Sequence, residues 1–464
     1  MSEEPNWDEL GRELERRGQG HLLAGLDALD AARRRSFAAE LAALDWDLLD
    51  ELKALTGASA GGAAAALAPA PRIEVGVDPA GDAAARERGE ALLREGRVAA
   101  FTVAGGQGSR LGFEGPKGLF AATPITGKSL FRVFAEKVAA VGRRYGRPLP
   151  WFLMTSEAND AETRAAFREA DWFGLDPDQV HFFAQDMLPA LDEEGRILLA
   201  GPGELFRSPN GHGGSLLALA RSGALARMEA AGIDEIFYFQ VDNPLVVVAD
   251  PIFLGYHAAR GAEMSTKVVP KRDWSEKVGV VGLIDGRYGV IEYSDLGEDE
   301  LRARDESGGL RFSAGNIAVH ALRRDFVASL TAEGLDLPYH VARKRIPAWH
   351  PAEGEVREVT GFKFETFVFD ALARCENSVV LSVDRRREFA PIKNAEGEDS
   401  PASSRRAQSQ LFADWLEARG VAVPRDAEGA PRHEIEISPL RALEAADLSD
   451  EDLAAIDPSG PILI

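Results

Sequence analysis

The chain has 464 residues and a formal net charge of −22, with 45% apolar and 28% charged residues. That composition excludes global disorder, and its acidity argues against non-specific nucleic-acid binding or docking on anionic lipid. A single cysteine, Cys375, excludes an intramolecular disulfide framework and a cysteine-rich zinc site.

No apolar run approaches the roughly 18 residues of a membrane span. The start, MSEEPNWDEL, is acidic and polar, unlike a signal peptide. A soluble, reduced, cytoplasmic protein is expected, with neither nucleic acid nor membrane as partner; no pattern sets the oligomeric state. The charge is uneven. Residues 1–50 hold 12 acids against 6 bases, and residues 394–464 hold 15 against 6, so the long middle carries only −7.

In chain order, leucines at three-to-four spacing from Leu10 to Leu49 predict helices over residues 5–55. Thr56–Pro71 is Ala/Gly/Pro-rich and reads as a flexible connection. A helix is predicted over 83–95, ending at Gly96, and a buried strand over Val98–Ala104. Further strands are expected at Pro150–Thr155, Val180–Phe183, Ile236–Val241, Met264–Val269, Gly279–Leu283, Tyr288–Tyr293 and Ala314–His320. Helices are expected at Asp160–Ala170 and Ser215–Ala231. Such alternation predicts an α/β fold with a mixed or parallel sheet covered by helices. Ligands of these sheets sit beyond the carboxyl ends of strands, which points to the loops after Ala104 and Val241. No internal repeat is visible.

Residues 104–119 read AGGQGSRLGFEGPKGL, with glycines at 105, 106, 108, 112, 115 and 118. Backbone without Cβ approaches an anion closely and turns several N–H groups toward it. Arg110 and Lys117 add positive charge, so the loop suits a polyphosphate. The strings G-x-x-x-x-G-K-[ST] and G-x-G-x-x-G are both absent here; Leu111 stands where the latter needs its last glycine.

This loop resembles the nucleotide-binding loop of sugar nucleotidyltransferases, and among them the eukaryotic-type UTP:sugar-1-phosphate uridylyltransferases, nearest the UDP-N-acetylglucosamine pyrophosphorylase branch. Ser109 replaces a usual threonine and keeps the hydroxyl. WFLMTSE (151–157), FFAQDMLP (182–189), NGHGGSLL (210–217), VDNPLVVVAD (241–250), EYS (292–294), FSAGNI (312–317), GFKFETFVFD (361–370) and APIKNA (390–395) are similar to family segments in family order. The resemblance spans about residues 98–440.

It implies a Rossmann-like (GT-A-like) catalytic domain over 96–385, with an N-terminal helical region over 1–95 and a small C-terminal domain over 386–464. It also implies that UTP and a sugar 1-phosphate, most simply N-acetylglucosamine 1-phosphate, give UDP-sugar and pyrophosphate. Gly105, Gly106, Gly108 and Ser109 would cradle the nucleotide, Gln185 would pair with uracil, and Gly211 would give its backbone to the base. Arg110, Lys117 and Lys393 would clamp the phosphates. Gly279, Glu292 and Asn316 would meet the sugar, with Lys363 on its phosphate and Phe367 and Phe369 on an acetamido group.

Asp242 ends an apolar strand, where a carboxylate either binds Mg²⁺ or caps a turn. His212 departs from the asparagine of the N-acetylhexosamine branch toward the G-H-G of UDP-glucose and broader UDP-sugar pyrophosphorylases. Lys277 replaces a usual proline before the V-G-V-V run. Phe367 and Phe369 read equally as plain core.

Two other classes compete. A glycosyltransferase would want an Asp-x-Asp signature, and Val241–Pro244 has one carboxylate. A non-catalytic nucleotide-sugar-binding protein would be expected to have lost Arg110, Lys117, Asp242 or Lys393, and all four are present. No Ser-His-Asp or Cys-His arrangement presents itself.

Overall fold

The computed structural model describes residues 6–57 and 65–464. By contact the chain sorts into two units, each drawn from three separate stretches. The first takes Met1–Ala64, Asp186–Gly214 and Leu337–Val368; the second takes Ala65–Gln185, Ser215–Asp336 and Phe369–Ile464.

The second unit is built on an eleven-stranded sheet. Its strands are β1 (Leu67–Pro69), β2 (Ile73–Glu74), β3 (Val98–Val103), β4 (Trp151–Thr155), β5 (Val180–Ala184), β6 (Glu235–Gln240), β7 (Met264–Pro270), β8 (Val280–Ile284), β9 (Arg287–Ile291), β10 (Ala314–Arg323) and β11 (Val380–Ser382). The order is β2-β11-β7-β10-β6-β3-β4-β5, with β8 on β10 and β1 and β9 on β8. The run β6-β3-β4-β5 is parallel, and β10 is antiparallel to β6, β7 and β8. The expected mixed sheet is therefore observed. VAAFTV of β3 and WFLMT of β4 are almost wholly buried, as central strands covered on both faces must be.

Helices α1 (Pro79–Glu95), α2 (Leu130–Tyr145), α3 (Asp160–Glu169), α4 (Pro251–Ala259) and α5 (Pro401–Ala418) accompany the sheet. Asp78 caps α1 through the Gly81 N–H, Pro79 opens it, and Gly96 ends it at φ 74. Helices α1 and α4 meet through two glycines. A Cβ on Gly89 would fall inside the Pro251 carbonyl, and one on Gly255 inside the Ala85 carbonyl. The C-terminal region has a small apolar cluster of its own, with Leu416, Ile435, Ile437, Leu448 and Ile462.

In the first unit, helices Trp7–Arg16, Ala31–Ala42 and Trp46–Thr56 share one core with the strands of the later stretches. Leu14, Leu22, Leu41, Leu49 and Leu52 pack with Leu188, Ile197, Leu205 and Phe364. Strands His340–His350 and Glu355–Glu365 form a long hairpin, and Leu191–Asp192 adds to its edge.

Contacts thus cut the chain differently from the linear division at 95 and 385. The helices before residue 57 cluster with the distant stretches, while α1 belongs with the sheet. The segment expected as a single helix over Ser215–Ala231 is two, Gly214–Arg221 and Ala224–Ala230, interrupted by Gly223 at φ 78. Of the connection expected over Thr56–Pro71, residues 58–64 lie outside the described residues. Its end is not loose, because β1 pairs Leu67 with Ile284. Among the described residues no helix is long and apolar enough to cross a membrane.

Candidate active site

The glycine loop leaves β3 at the carboxyl end of the sheet and doubles back on itself. Gly108 N–H donates to the Gly115 carbonyl at 2.9 Å, and Lys117 N–H donates to the Gly106 carbonyl at 3.0 Å. The six glycines serve different needs. Gly106 is exposed with open space where a Cβ would stand. A Cβ on Gly105 would lie 2.9 Å from Gln185 Nε2, so that amide rests against the loop backbone. Gly108 and Gly118 instead make room for Phe113 and Phe131, and Gly112 turns the chain at φ 67. Ser109 and Arg110 stand exposed on a short 3₁₀ turn, and Arg110 makes no ion pair with any described residue.

Asn159 holds the start of the loop. Nearly fully buried, it donates Nδ2 to the Ala104 carbonyl at 3.0 Å and to the Gly106 carbonyl at 3.3 Å. Its Oδ1 accepts the Ser156 N–H at 2.8 Å. Sequence reasoning missed this residue. Its one signal is an asparagine standing just before α3, two residues past TSE.

The second loop leaves β6. Asp242 is nearly buried, and its carboxylate lies 3.7 Å from Lys117 Nζ. The Asp242 carbonyl accepts the Ile392 N–H at 2.8 Å, which sets Lys393 beside the same strand end. Lys393 is half-buried with Nζ 5.6 Å from the Phe389 ring. The structure therefore brings the loops after β3 and β6 together with the APIKNA segment, as ligand geometry at strand ends requires.

Gly279 just before β8, Glu292 just after β9 and Asn316 on β10 meet within the same unit. The Asn316 N–H donates to the Gly279 carbonyl at 2.9 Å, and a Cβ on Gly279 would stand 3.1 Å from Glu292 Oε1. Gly279 has no Cβ, so Glu292 can lie against its backbone. Phe369 also belongs here and is buried.

Gly211, His212, Lys363 and Phe367 belong to the first unit. The 210–213 loop lies on the chain at 366–368: Gly213 N–H donates to the Thr366 carbonyl at 2.8 Å and Thr366 N–H to the Asn210 carbonyl at 3.0 Å. Gly211 sits at φ 68 with the Thr366 carbonyl where a Cβ would go. His212 Nδ1 accepts the Val368 N–H at 3.1 Å, which leaves any ring proton on Nε2. The ring stacks on Phe367 at 5.2 Å, and His340 covers Phe367 at 4.5 Å. Burial, with His340 second, pushes the His212 pKa down to about 4, so it is a neutral ring near pH 7. Lys363 Nζ lies 5.1 Å from the Phe206 ring.

One arrangement hidden in the sequence is Ser265–His257–Glu235. His257 Nδ1 is 2.7 Å from Ser265 Oγ, and its Nε2 is 3.0 Å from Glu235 Oε2. The order imitates a hydrolytic triad. All three are buried in the sheet interior, however, and Ser265 Oγ accepts the Val379 N–H at 3.3 Å. It is an internal polar contact between α4, β6 and β7, in which the His257–Glu235 approach is an ion-pair distance without hydrogen-bond geometry.

A glycine loop on a mixed α/β sheet, with cations and a carboxylate at the strand ends, defines a nucleotidyltransferase. Residues 79–400 match the family model of UTP–glucose-1-phosphate uridylyltransferase. A probable UDP-N-acetylglucosamine pyrophosphorylase of Dictyostelium discoideum is 36% identical over 382 residues, covering 78% of each chain. The UDP-N-acetylglucosamine pyrophosphorylase of Saccharomyces cerevisiae is 37% identical over 347 residues, covering 71% of this chain and 72% of that one. The structure of the uridine diphosphate N-acetylglucosamine pyrophosphorylase of Trypanosoma brucei superposes with a TM-score of 0.84 at 28% identity, covering 100% of this chain and 99% of that one. The chain belongs to the UTP–glucose-1-phosphate uridylyltransferase family and is a uridylyltransferase.

Proposed function

We propose that this enzyme joins UTP and N-acetylglucosamine 1-phosphate to give UDP-N-acetylglucosamine and pyrophosphate. The observation that carries the chemistry is the approach of Lys117 to Asp242 at the sheet's carboxyl end, with Lys393 tied to the same turn. The acetylated sugar is favoured over plain glucose by the names of relatives at 36–37% identity. His212 does not oppose this. As a neutral ring whose Nδ1 accepts the Val368 N–H, it carries its proton on Nε2, a donor of the kind an asparagine side chain also carries.

A phosphate oxygen of the sugar phosphate attacks the α-phosphorus of UTP in line; the α–β bridging bond breaks and pyrophosphate leaves. Such transfer needs positioning and charge neutralisation rather than a covalent nucleophile. Arg110 and Lys117 hold the triphosphate, and Lys393 draws the attacking phosphate toward it. The open backbone at Gly106 and the Gln185 amide beside Gly105 receive the nucleotide. Gly279, Glu292 and Asn316 orient the sugar. In the first unit Gly211 and Lys363 offer a backbone contact and a cation, and Phe367 offers an apolar face held by two histidine rings.

Mg²⁺ is proposed as cofactor, with Asp242 as its protein ligand. Among the described residues no group of three His, Cys, Asp or Glu could hold a metal alone. A lone carboxylate suits Mg²⁺, which usually keeps waters and phosphate oxygens as its other ligands. Bound there, the ion would neutralise charge on the polyphosphate. The single Cys375, partly buried, suits a reducing, cytoplasmic setting.

The test is pyrophosphate release from UTP with glucosamine-, galactose- and glucose-type 1-phosphates, acetylated and plain, with and without Mg²⁺. The highest kcat/KM is expected for N-acetylglucosamine 1-phosphate. A clear preference for plain glucose would overturn the sugar assignment. Lys117→Ala and Asp242→Ala should each lower turnover by roughly 10²-fold or more in a folded protein. Near-normal turnover in either removes that residue from the chemistry.

A further inference from the structure

Asp242 and Lys393 are 151 positions apart in sequence, yet the proposed reaction needs both on one phosphate chain. The side chain between their segments is Asn243, which is 3% exposed. Its Nδ2 donates to the Glu388 carbonyl at 2.7 Å. Its Oδ1 accepts the Ala390 N–H at 3.0 Å and the Leu245 N–H at 3.3 Å. One amide therefore ties both edges of the 388–390 stretch to the turn after β6, and the Ile392–Asp242 bond continues the same lacing by one more step.

Other contacts hold these stretches from their remaining sides. Val246, Val248 and Ile392 pack in the apolar core, Ser404 Oγ donates to the Ala390 carbonyl at 2.7 Å, and the Lys393 N–H donates to the Asp399 carbonyl at 2.6 Å. None of these joins the turn after β6 to the 388–390 stretch, and buried cations brace the wall of the neighbouring cavity of about 500 Å³. Lys137 Nζ reaches the Pro244 and Val246 carbonyls at 2.6 and 2.7 Å. The fully buried Lys267 Nζ lies 2.6 Å from Asp250 and 2.5 Å from Glu388.

We infer that Asn243 is a positioning residue of the transfer reaction, setting Lys393 opposite Asp242; this rests on the roles proposed above for those two groups. Only a side chain of this length carrying both a donor and an acceptor satisfies a carbonyl and an N–H two residues apart. Aspartate keeps the acceptor but sets a charge against the Glu388 carbonyl. Serine has one hydroxyl and a shorter reach.

A double-mutant cycle between Asn243→Ala and Lys393→Ala tests the inference, with far-UV circular dichroism and the urea midpoint as checks on folding. Asn243→Ala should lower kcat/KM by about 10²-fold, since small misplacements of reacting groups have that effect. On the Lys393→Ala background the same change should cost no more than about threefold, because coupled residues are non-additive. Asn243→Ser should fall between alanine and the native enzyme, and it decides by the same criterion if the alanine variant does not fold. Independent, multiplying effects, or near-normal turnover of Asn243→Ala, would overturn the proposal. So would loss of the folded state in both Asn243 variants, which would make the residue a fold element. Near-normal turnover of Lys393→Ala alone would instead defeat the underlying assignment of Lys393, and the two failures are distinguishable.

Discussion

Adding one methyl group at the α1–α4 contact should be enough to loosen the sheet-bearing unit. Gly89 and Gly255 face each other's helix backbone, and the atom each Cβ would meet is a carbonyl, not a flexible side-chain tip. Relief therefore requires moving a whole helix. On an exposed helix surface, glycine to alanine gains about 0.5–1 kcal/mol. Here overpacking should cost about 1–3 kcal/mol and reverse that sign. Each of Gly89→Ala and Gly255→Ala should destabilise by about 1–2 kcal/mol net. The helices need separate only once, so the double variant should cost less than the sum, with a coupling of at least about 0.5 kcal/mol. Urea unfolding followed by circular dichroism measures all three values. Stabilisation by either single change, or strict additivity in the double, would refute the reasoning.

Three further outcomes are expected. Lys267→Met leaves Asp250 and Glu388 buried without their cation and should cost about 3–5 kcal/mol; adding Glu388→Gln should recover part of it in the same unfolding assay. Burial holds the folded-state pKa of His212 down to about 4 against the ordinary 6.5 of a histidine, so the unfolded chain binds the extra proton in that window. Stability should then fall by up to about 3 kcal/mol as pH drops from 6.5 to 4, a component that His212→Asn should abolish in urea titrations across pH. Gly105→Ala pushes on the Gln185 amide and should raise KM for UTP more than it lowers kcat, and an unchanged KM would exclude the contact.

Strands β3 and β6 were legible because each lies in a largely apolar run, broken only by Thr102 or Gln240, that ends at glycine or aspartate, a pattern that local order alone creates. The glycine loop was legible as a loop for the same reason, and its Arg110 and Lys117 lie close together in the chain. What was not legible depends on residues that meet only after folding. Asn159 and Asn243 are unremarkable until the carbonyls they hold are in place. Ser265, His257 and Glu235 stand on three elements with no shared spacing. Gly223 breaks a helix that a single glycine, costing about 1 kcal/mol, need not have broken. Six clustered glycines suggested a single purpose, but Gly108 and Gly118 answer to the rings of Phe113 and Phe131.

The scattered make-up of the first unit has a consequence on the ribosome. Leu14 and Leu22 are made early, but the Phe364 ring that shares their core comes about 350 residues later. At roughly 5–20 residues per second, that interval is on the order of 20–70 s. The strands around Leu188 to Leu205 supply part of the cover about halfway through, and the hairpin that completes it comes only after the whole of β3 to β10 has been translated. Production in cells should accordingly depend on holdase chaperones, and the dependence should ease when translation is faster.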